Sequence, residues 1–265
     1  MNGTGLKRVT FGDVVIATAG VVRRKGLLLL LLALGCHELP AILTRPVWES
    51  TGLSGLFISP AYDWLKFAIY SGSLAAALSA IAALVLNDLQ ADAANPGVLV
   101  RKALLRWPAM LAITAVINLP RLAAAVLMSL TPEISARTVN DLTVAILVSQ
   151  IFELIFAALL GLAIPVLLQE RGGILRAFRR ARGLSREAGW HLAILALVWW
   201  LMLGLPYPLA RLLDRSGILP FSQDLVLATQ GVIDALWVTA LCVVYLKQRR
   251  NLGQPPASAI GEVFD

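Results

Sequence analysis

The chain has 265 residues, of which 58% are hydrophobic and 15% charged, with a formal net charge of +7 and a mean hydropathy of +0.77. Soluble domains are about 45–50% apolar and about 25% charged, so a soluble globular protein is excluded. The apolar residues gather in runs near the roughly 20 residues that a helix needs to cross a bilayer, and too little chain lies between them for a separate soluble catalytic domain.

Six such runs fall at 26–45, 63–88, 106–130, 143–168, 190–212 and 224–246. They are expected to be helices, because lipid cannot satisfy bare backbone groups; a membrane barrel needs alternation at every second residue, which Leu27–Leu32 lacks. The reading is an all-α polytopic membrane protein, one six-helix domain over 1–250 with a flexible tail over 251–265.

In chain order, residues 1–9 read as loose. Thr10 has the pattern of an N-cap with Asp13 three residues on, starting an amphipathic helix over 11–24 that ends in Arg23-Arg24-Lys25 and lies in the membrane interface. The first span follows, with Cys36, His37, Glu38 and the helix-bending Pro40. Gly35-Cys36 after an apolar run has the outline of a lipoprotein signal, but Ala33 stands where a larger aliphatic is usual. The second span contains SGSLAAALSAIAAL, small residues that let helices approach closely. Asn95 can cap a helix whose first residue is Pro96; this helix, 96–105, carries Arg101 and Lys102 and leads through Arg106 into a third span interrupted at Asn118-Leu119-Pro120-Arg121.

The fourth span holds Gln150, Glu153 and Pro165. An arginine-rich helix over 174–182 follows, with Ile174, Phe178 and Ala181 on one face and Arg176, Arg179 and Arg180 on the other. Gly183 is expected to end it and Ser185 to cap the next helix. Pro206 and Pro208 break the fifth span, and the sixth carries Gln230 and Asp234.

Lys and Arg counts set the orientation. Seventeen of the 23 flank one set of span ends: Lys7, Arg8, Arg23, Arg24, Lys25, Arg101, Lys102, Arg106, Arg171, Arg176, Arg179, Arg180, Arg182, Arg186, Lys247, Arg249 and Arg250. Both termini are therefore expected in the cytoplasm. The positive charge belongs to a membrane surface rather than to a nucleic-acid site. Trp48 and Trp64 fall near one interface and Trp107 and Trp190 near the other, as an aromatic belt would. Cys36 and Cys242 lie inside spans at different depths, so they read as small apolar core residues, not a disulfide. Basic helices beginning near 11, 98 and 174 each feed an outward span and a return span, which reads as three hairpin repeats; the alternative is that positive-inside topology alone places basic residues on every inner loop.

Two groups of residues could carry function. Arg121, Glu153 and Asp234 stand at similar depth, about 14–15 Å inside their spans at about 1.5 Å per residue. Each has a polar companion on its own helical face, respectively Asn118, Gln150 and Gln230, while His37 and Glu38 are shallower. Only the fifth span lacks such a group. A charge at the bilayer centre is unfavourable by at least about 2.5 kcal/mol, so these residues either line a polar cavity for a solute, proton or headgroup, or pair as structural glue. The second group is Arg176, Arg179 and Arg180 with Arg101, Lys102, Arg23 and Arg24, which are expected to face anionic lipid. No metal site or cofactor is expected: His37 and Glu38 are adjacent and so point to different faces, His191 lies at the opposite interface, and no phosphate-binding loop or zinc-protease motif occurs.

At PVLLQERGGILRAFRRARGLSREAGWHLAIL the chain resembles the membrane domain attached to some bacterial glycerophosphoryl diester phosphodiesterases, and the stand-alone YciC-like inner-membrane proteins. The matching residues are Pro165, Val166, Glu170, Gly172, Ala177, Phe178, Arg179, Arg180, Leu184 and Trp190. Tyr245, Lys247, Arg249 and Arg250, with the closing Glu262-Val263-Phe264-Asp265, also look like that group. The likeness covers about a fifth of the chain. It implies a bacterial inner-membrane protein associated with envelope maintenance, without established chemistry. In that group phosphodiester cleavage belongs to a separate barrel domain with a His-Arg motif; neither His37 nor His191 is followed by Arg. The expectation is a non-enzymatic protein whose partners are anionic lipid, another membrane protein or a second copy of itself. The alternative is a transporter or channel built on Arg121, Glu153 and Asp234.

Overall fold

The computed structural model describes residues 10–35, 60–90, 95–120, 123, 139–170, 172–205 and 222–253. Among these the regular elements are all helices: α1 (Phe11–Ala33), α2 (Pro60–Gln90), α3 (Pro96–Leu105), α4 (Trp107–Ile117), α5 (Val139–Leu160), α6 (Ala163–Gln169), α7 (Ile174–Ala188), α8 (Trp190–Gly204) and α9 (Ser222–Asn251). Three stretches are long and apolar enough to cross a membrane: Ser71–Gln90, Val148–Gln169 and Ala228–Asn251. The α7–α8 pair makes a fourth if it is counted as one span, but its two halves meet at 102°.

Two helix starts follow from local hydrogen bonds. Thr10 Oγ1 accepts from the Asp13 amide at 3.2 Å, and the Thr10 amide donates to Asp13 Oδ2 at 3.4 Å, the reciprocal capping box. Asn95 Oδ1 accepts from the Gly97 amide at 2.9 Å, with Pro96 in the first turn.

Helix ends depart from expectation in three places. First, α1 does not stop at Arg24; it continues without a break to Ala33. Arg and Lys are good helix formers, and one Gly lowers helix stability by only about 1 kcal/mol, so Arg23-Arg24-Lys25-Gly26 is no terminator. The first unit thus lacks the corner that separates a basic helix from its span in the α7–α8 unit. Second, α7 runs through Gly183 to Ala188 and ends at Gly189, whose φ of +59° suits glycine. Ser185 consequently lies inside α7 and caps no following helix. Third, the fourth span is divided at Gly161-Leu162 into α5 and α6.

α2 and α9 form the centre. Their spanning windows are 72% and 78% buried, against 56% for Val148–Gln169. Ala75, Ala77, Ala80, Ala82 and Ala83 are buried in α2, and the small side chains let α9 come close enough for Cys242 Sγ to lie 3.9 Å from the Ala82 carbonyl oxygen. Cys242 is buried and free; Cys36 lies outside the described residues. α1 packs on α9 and α2, and every residue of the short α6 is buried among α2, α7 and α9. At Gly161 an added Cβ would stand 2.5 Å from the Ala157 carbonyl oxygen and 3.2–3.3 Å from Leu241 and Trp237. α5, by contrast, keeps Val148, Ile151, Phe152, Ile155 and Leu159 exposed along one side, an apolar stripe on the outside of the bundle.

Candidate functional site

The richest polar construction lies where α2, α6 and α9 end. A helix leaves its last four carbonyls without intrahelical donors, and α6 ends inside protein. Arg106, at the α3–α4 corner, donates through Nη1 to the Leu167 carbonyl. The amides of Gln90 and Gln169 bind each other at 3.0 and 3.3 Å. Glu170 then leaves the helix, and its Oε1 accepts from the Tyr245 hydroxyl at 3.2 Å and stands 3.5 Å from Arg180 Nε. Tyr245 is fully buried. Its oxygen accepts from Arg249 Nη1 at 3.2 Å, and that guanidinium lies 5.7 Å from the centre of the tyrosine ring, a cation–π arrangement. One carboxylate thus ties α6, α7 and α9 together.

The same end holds α1 at two points. Arg24 makes a two-pronged bond to Asp88 Oδ2, at 3.1 Å from Nε and 2.7 Å from Nη2; the hydrogen bond and the charge of Asp88 raise the pKa of Arg24. Lys247 Nζ lies 3.7 Å from Asp13 Oδ2. Asp13 and Arg24 are about 16 Å apart along the helix, yet both meet the terminal turns of α9 and α2. The first half of α1 is thereby tied to the terminal turns of both α9 and α2.

The basic residues divide accordingly. Arg24 and Arg180 hold carboxylates of the protein itself. Arg23, Arg101, Arg176 and Arg179 are exposed, and Lys102 is half-buried. On α7 the buried side is Ala177, Ala181, Leu184, Ser185 and Ala188, with Ile174 and Phe178 partly buried beside them, which places the expected apolar face against the bundle. Ser185 Oγ donates to the Leu159 carbonyl at 2.9 Å, so the serine read as an N-cap serves the C-terminal end of α5. Arg182 and Arg186 join Arg176 and Arg179 on the exposed side.

In the interior, Glu153 and Asp234 are 7% and 9% exposed and Gln230 is 8% exposed. Gln150 and Asn118 are half-buried. Asn118 Nδ2 donates to the Thr114 carbonyl of its own helix at 2.9 Å. Asp234 Oδ1 accepts from Trp199 Nε1 at 3.1 Å, and Trp199 stacks on Trp237 with ring centres 5.1 Å apart. α8, within the run expected as the fifth span, thus contributes a polar group through Trp199. A buried tryptophan N–H ordinarily finds an acceptor, and that is the signal by which Trp199 could have been recognised. Arg121, His37 and Glu38 lie outside the described residues.

His191 lines an apolar crevice with Phe11, Val14, Leu192, Leu195 and Val244. Among the described residues no three His, Cys, Asp or Glu side chains come together as a metal site would. No family model, no curated protein and no solved structure matches this chain.

Proposed function

We propose that this is a non-enzymatic, six-span protein of the bacterial inner membrane, with both termini cytoplasmic, which holds anionic lipid or a membrane-protein partner on its basic end and serves membrane homeostasis. The carrying observation is the α7–α8 corner. A helix with Arg176, Arg179, Arg182 and Arg186 exposed turns by 102° into an apolar helix, and Trp190 at the turn is 63% exposed. An interfacial helix next to a span has this form. Three further spans of the proposal, 26–45, 106–130 and 190–212, take in the second part of α1, all of α4 and all of α8, and extend beyond the described residues. The resemblance to the YciC-like proteins supports the same reading.

Topology reporters test the membrane arrangement. A reporter at the C-terminus should behave as cytoplasmic and one within 131–142 as periplasmic; the opposite result at either site sinks the six-span arrangement. Lipid binding is tested by replacing Arg176, Arg179, Arg182 and Arg186 with Gln. Each basic residue near an anionic surface contributes about 1 kcal/mol, so the variant should purify with less anionic lipid and with its fold intact. Unchanged lipid content would assign α7 to a protein partner instead.

The burial of Glu153 and Asp234 within stretches long enough to span supports a second reading, a transporter or channel using Arg121, Glu153 and Asp234. Against it, Trp199 already satisfies one oxygen of Asp234. Uptake or leak assays on reconstituted vesicles, with Asp234→Asn as the comparison, separate the two: a solute or proton flux lost in the variant establishes the second reading.

A further inference from the structure

The exposed side of α7 has more order than a diffuse basic patch. Arg176, Arg179, Arg182 and Arg186 all lie within about a third of the helix circumference at 3.6 residues per turn, opposite the buried Ala177, Ala181, Leu184 and Ala188. Successive members of this row are three, three and four residues apart, where side chains are neighbours at about 5–6 Å, so the four guanidiniums can be shared two by two, Arg176 with Arg179 and Arg182 with Arg186. The centres of the pairs are about 10 Å apart along the axis. Among the described residues none of the four makes an ion pair, whereas Arg180 on the same helix turns inward to Glu170. The single carboxylate on α7 is Glu187. Within the arginine arc sits Leu175, 73% exposed.

We propose that this face binds a lipid headgroup carrying two phosphates, one at Arg176 and Arg179 and the other at Arg182 and Arg186. The inference rests on the lipid reading above and specifies its ligand. Guanidinium forks match phosphate oxygens, and a pair of them neutralises a phosphodiester with charge to spare. A second pair nearly two turns away calls for a second phosphate, and a short covalent bridge between the two makes the second contact intramolecular. The exposed leucine selects the source. A row of arginines alone would suit any polyanion, but a leucine between them suits a surface with apolar material just beneath its phosphates.

The test uses the full-length protein in a neutral detergent and compares diphosphatidylglycerol, phosphatidylglycerol and phosphatidylcholine at equal total phosphate, read by native mass spectrometry and by the lipid-induced rise in Tm. Diphosphatidylglycerol should bind on the order of tenfold more tightly per phosphate than phosphatidylglycerol, the gain expected from linking two weak contacts. Either Arg176→Gln with Arg179→Gln, or Arg182→Gln with Arg186→Gln, should abolish that preference while phosphatidylglycerol still binds. Arg101→Gln, on another helix, should leave it in place and controls for loss of charge alone. Equal binding of the two anionic lipids per phosphate overturns the two-phosphate site and leaves the lipid reading standing. Failure of both to exceed phosphatidylcholine overturns the lipid reading itself. Inorganic pyrophosphate displacing the lipid at equal concentration would show a soluble diphosphate ligand and overturn the lipid source.

Discussion

The two polar regions of this protein handle charge in opposite ways. At the basic end, Glu170 and Asp88 are partly accessible and each holds an arginine, while further arginines on the same surface stay exposed. In the interior, Asp234 is 9% exposed and takes an indole N–H. Water at the basic end supports surplus charge, so Arg176, Arg179, Arg182 and Arg186 can stay exposed there. The buried interior supports none, so each carboxylate there requires a donor from the protein or a proton. Which charges stay exposed is therefore decided by which ones the fold itself uses.

The largest expected effect probes the interior. Arginine cannot discharge by losing its proton, so on the reading that Arg121 pairs with these acids, changing Glu153→Gln together with Asp234→Asn should lower stability by roughly 3–5 kcal/mol. Adding Arg121→Leu should restore thermal stability and expression. A triple variant no more stable than the double would mean that Arg121 does not pair with these acids, and would favour the transport reading.

The next effect breaks the clasp at the basic end. Tyr245→Phe keeps the ring and removes the hydroxyl that both Glu170 and Arg249 use. Hydrogen bonds to charged groups contribute about 1.5–3 kcal/mol each, so the melting temperature should fall and α7 should exchange backbone hydrogen faster. A Tm equal to that of the parent would show that the clasp contributes no stability.

Two glycines sharpen the difference between the α7–α8 corner and the helix that leads into it. Gly189 has a positive φ, so Gly189→Ala should destabilise by about 1–3 kcal/mol. Gly183 is helical and exposed, with nothing within 4 Å of an added Cβ, so Gly183→Ala should stabilise by up to about 1 kcal/mol. Paired thermal melts decide the matter, and the same sign for both would refute the placement of the corner. Ser185→Ala, which leaves the Leu159 carbonyl without its side-chain donor, should lower stability by about 1 kcal/mol. The smallest effect belongs to Arg24→Gln, since the guanidinium is exposed and surface pairs add little; a large drop in Tm would mean that the contact with Asp88 is shielded by lipid.

Much of the fold is legible in the residues alone. The apolar runs that became α2, α5 and α9 need only length and composition, because any stretch that must satisfy its own backbone in lipid becomes a helix. The caps at Thr10 and Asn95 are readable for the same local reason: donor and acceptor are two or three residues apart. Period alone placed Arg176 and Arg179 on the exposed face of α7, but it also placed Arg180 there, which instead turns to Glu170, and it did not single out Arg182 and Arg186. The corner at the wrong glycine shows the limit, since Gly183 and Gly189 are both plausible stops by composition, and the burial of Leu184, Ser185 and Ala188 against the bundle carried the helix past the first.

What the sequence could not settle is which charge meets which. Arg24 and Asp88 are 64 residues apart, Glu170 and Tyr245 are 75, and Gln90 and Gln169 are 79. Nothing periodic links them; they meet because α2, α6 and α9 end together and α1 and α7 lie across those ends. Trp199 and Asp234 are likewise joined by the packing of α8 on α9. Amino-acid order determined that this chain forms apolar helices, three of them among the described residues long and apolar enough to cross a membrane, because hydrophobic length and backbone satisfaction are local properties. Tertiary packing decided which arginines are used up inside the protein and which remain exposed, because a salt bridge depends on distance in space and not along the chain.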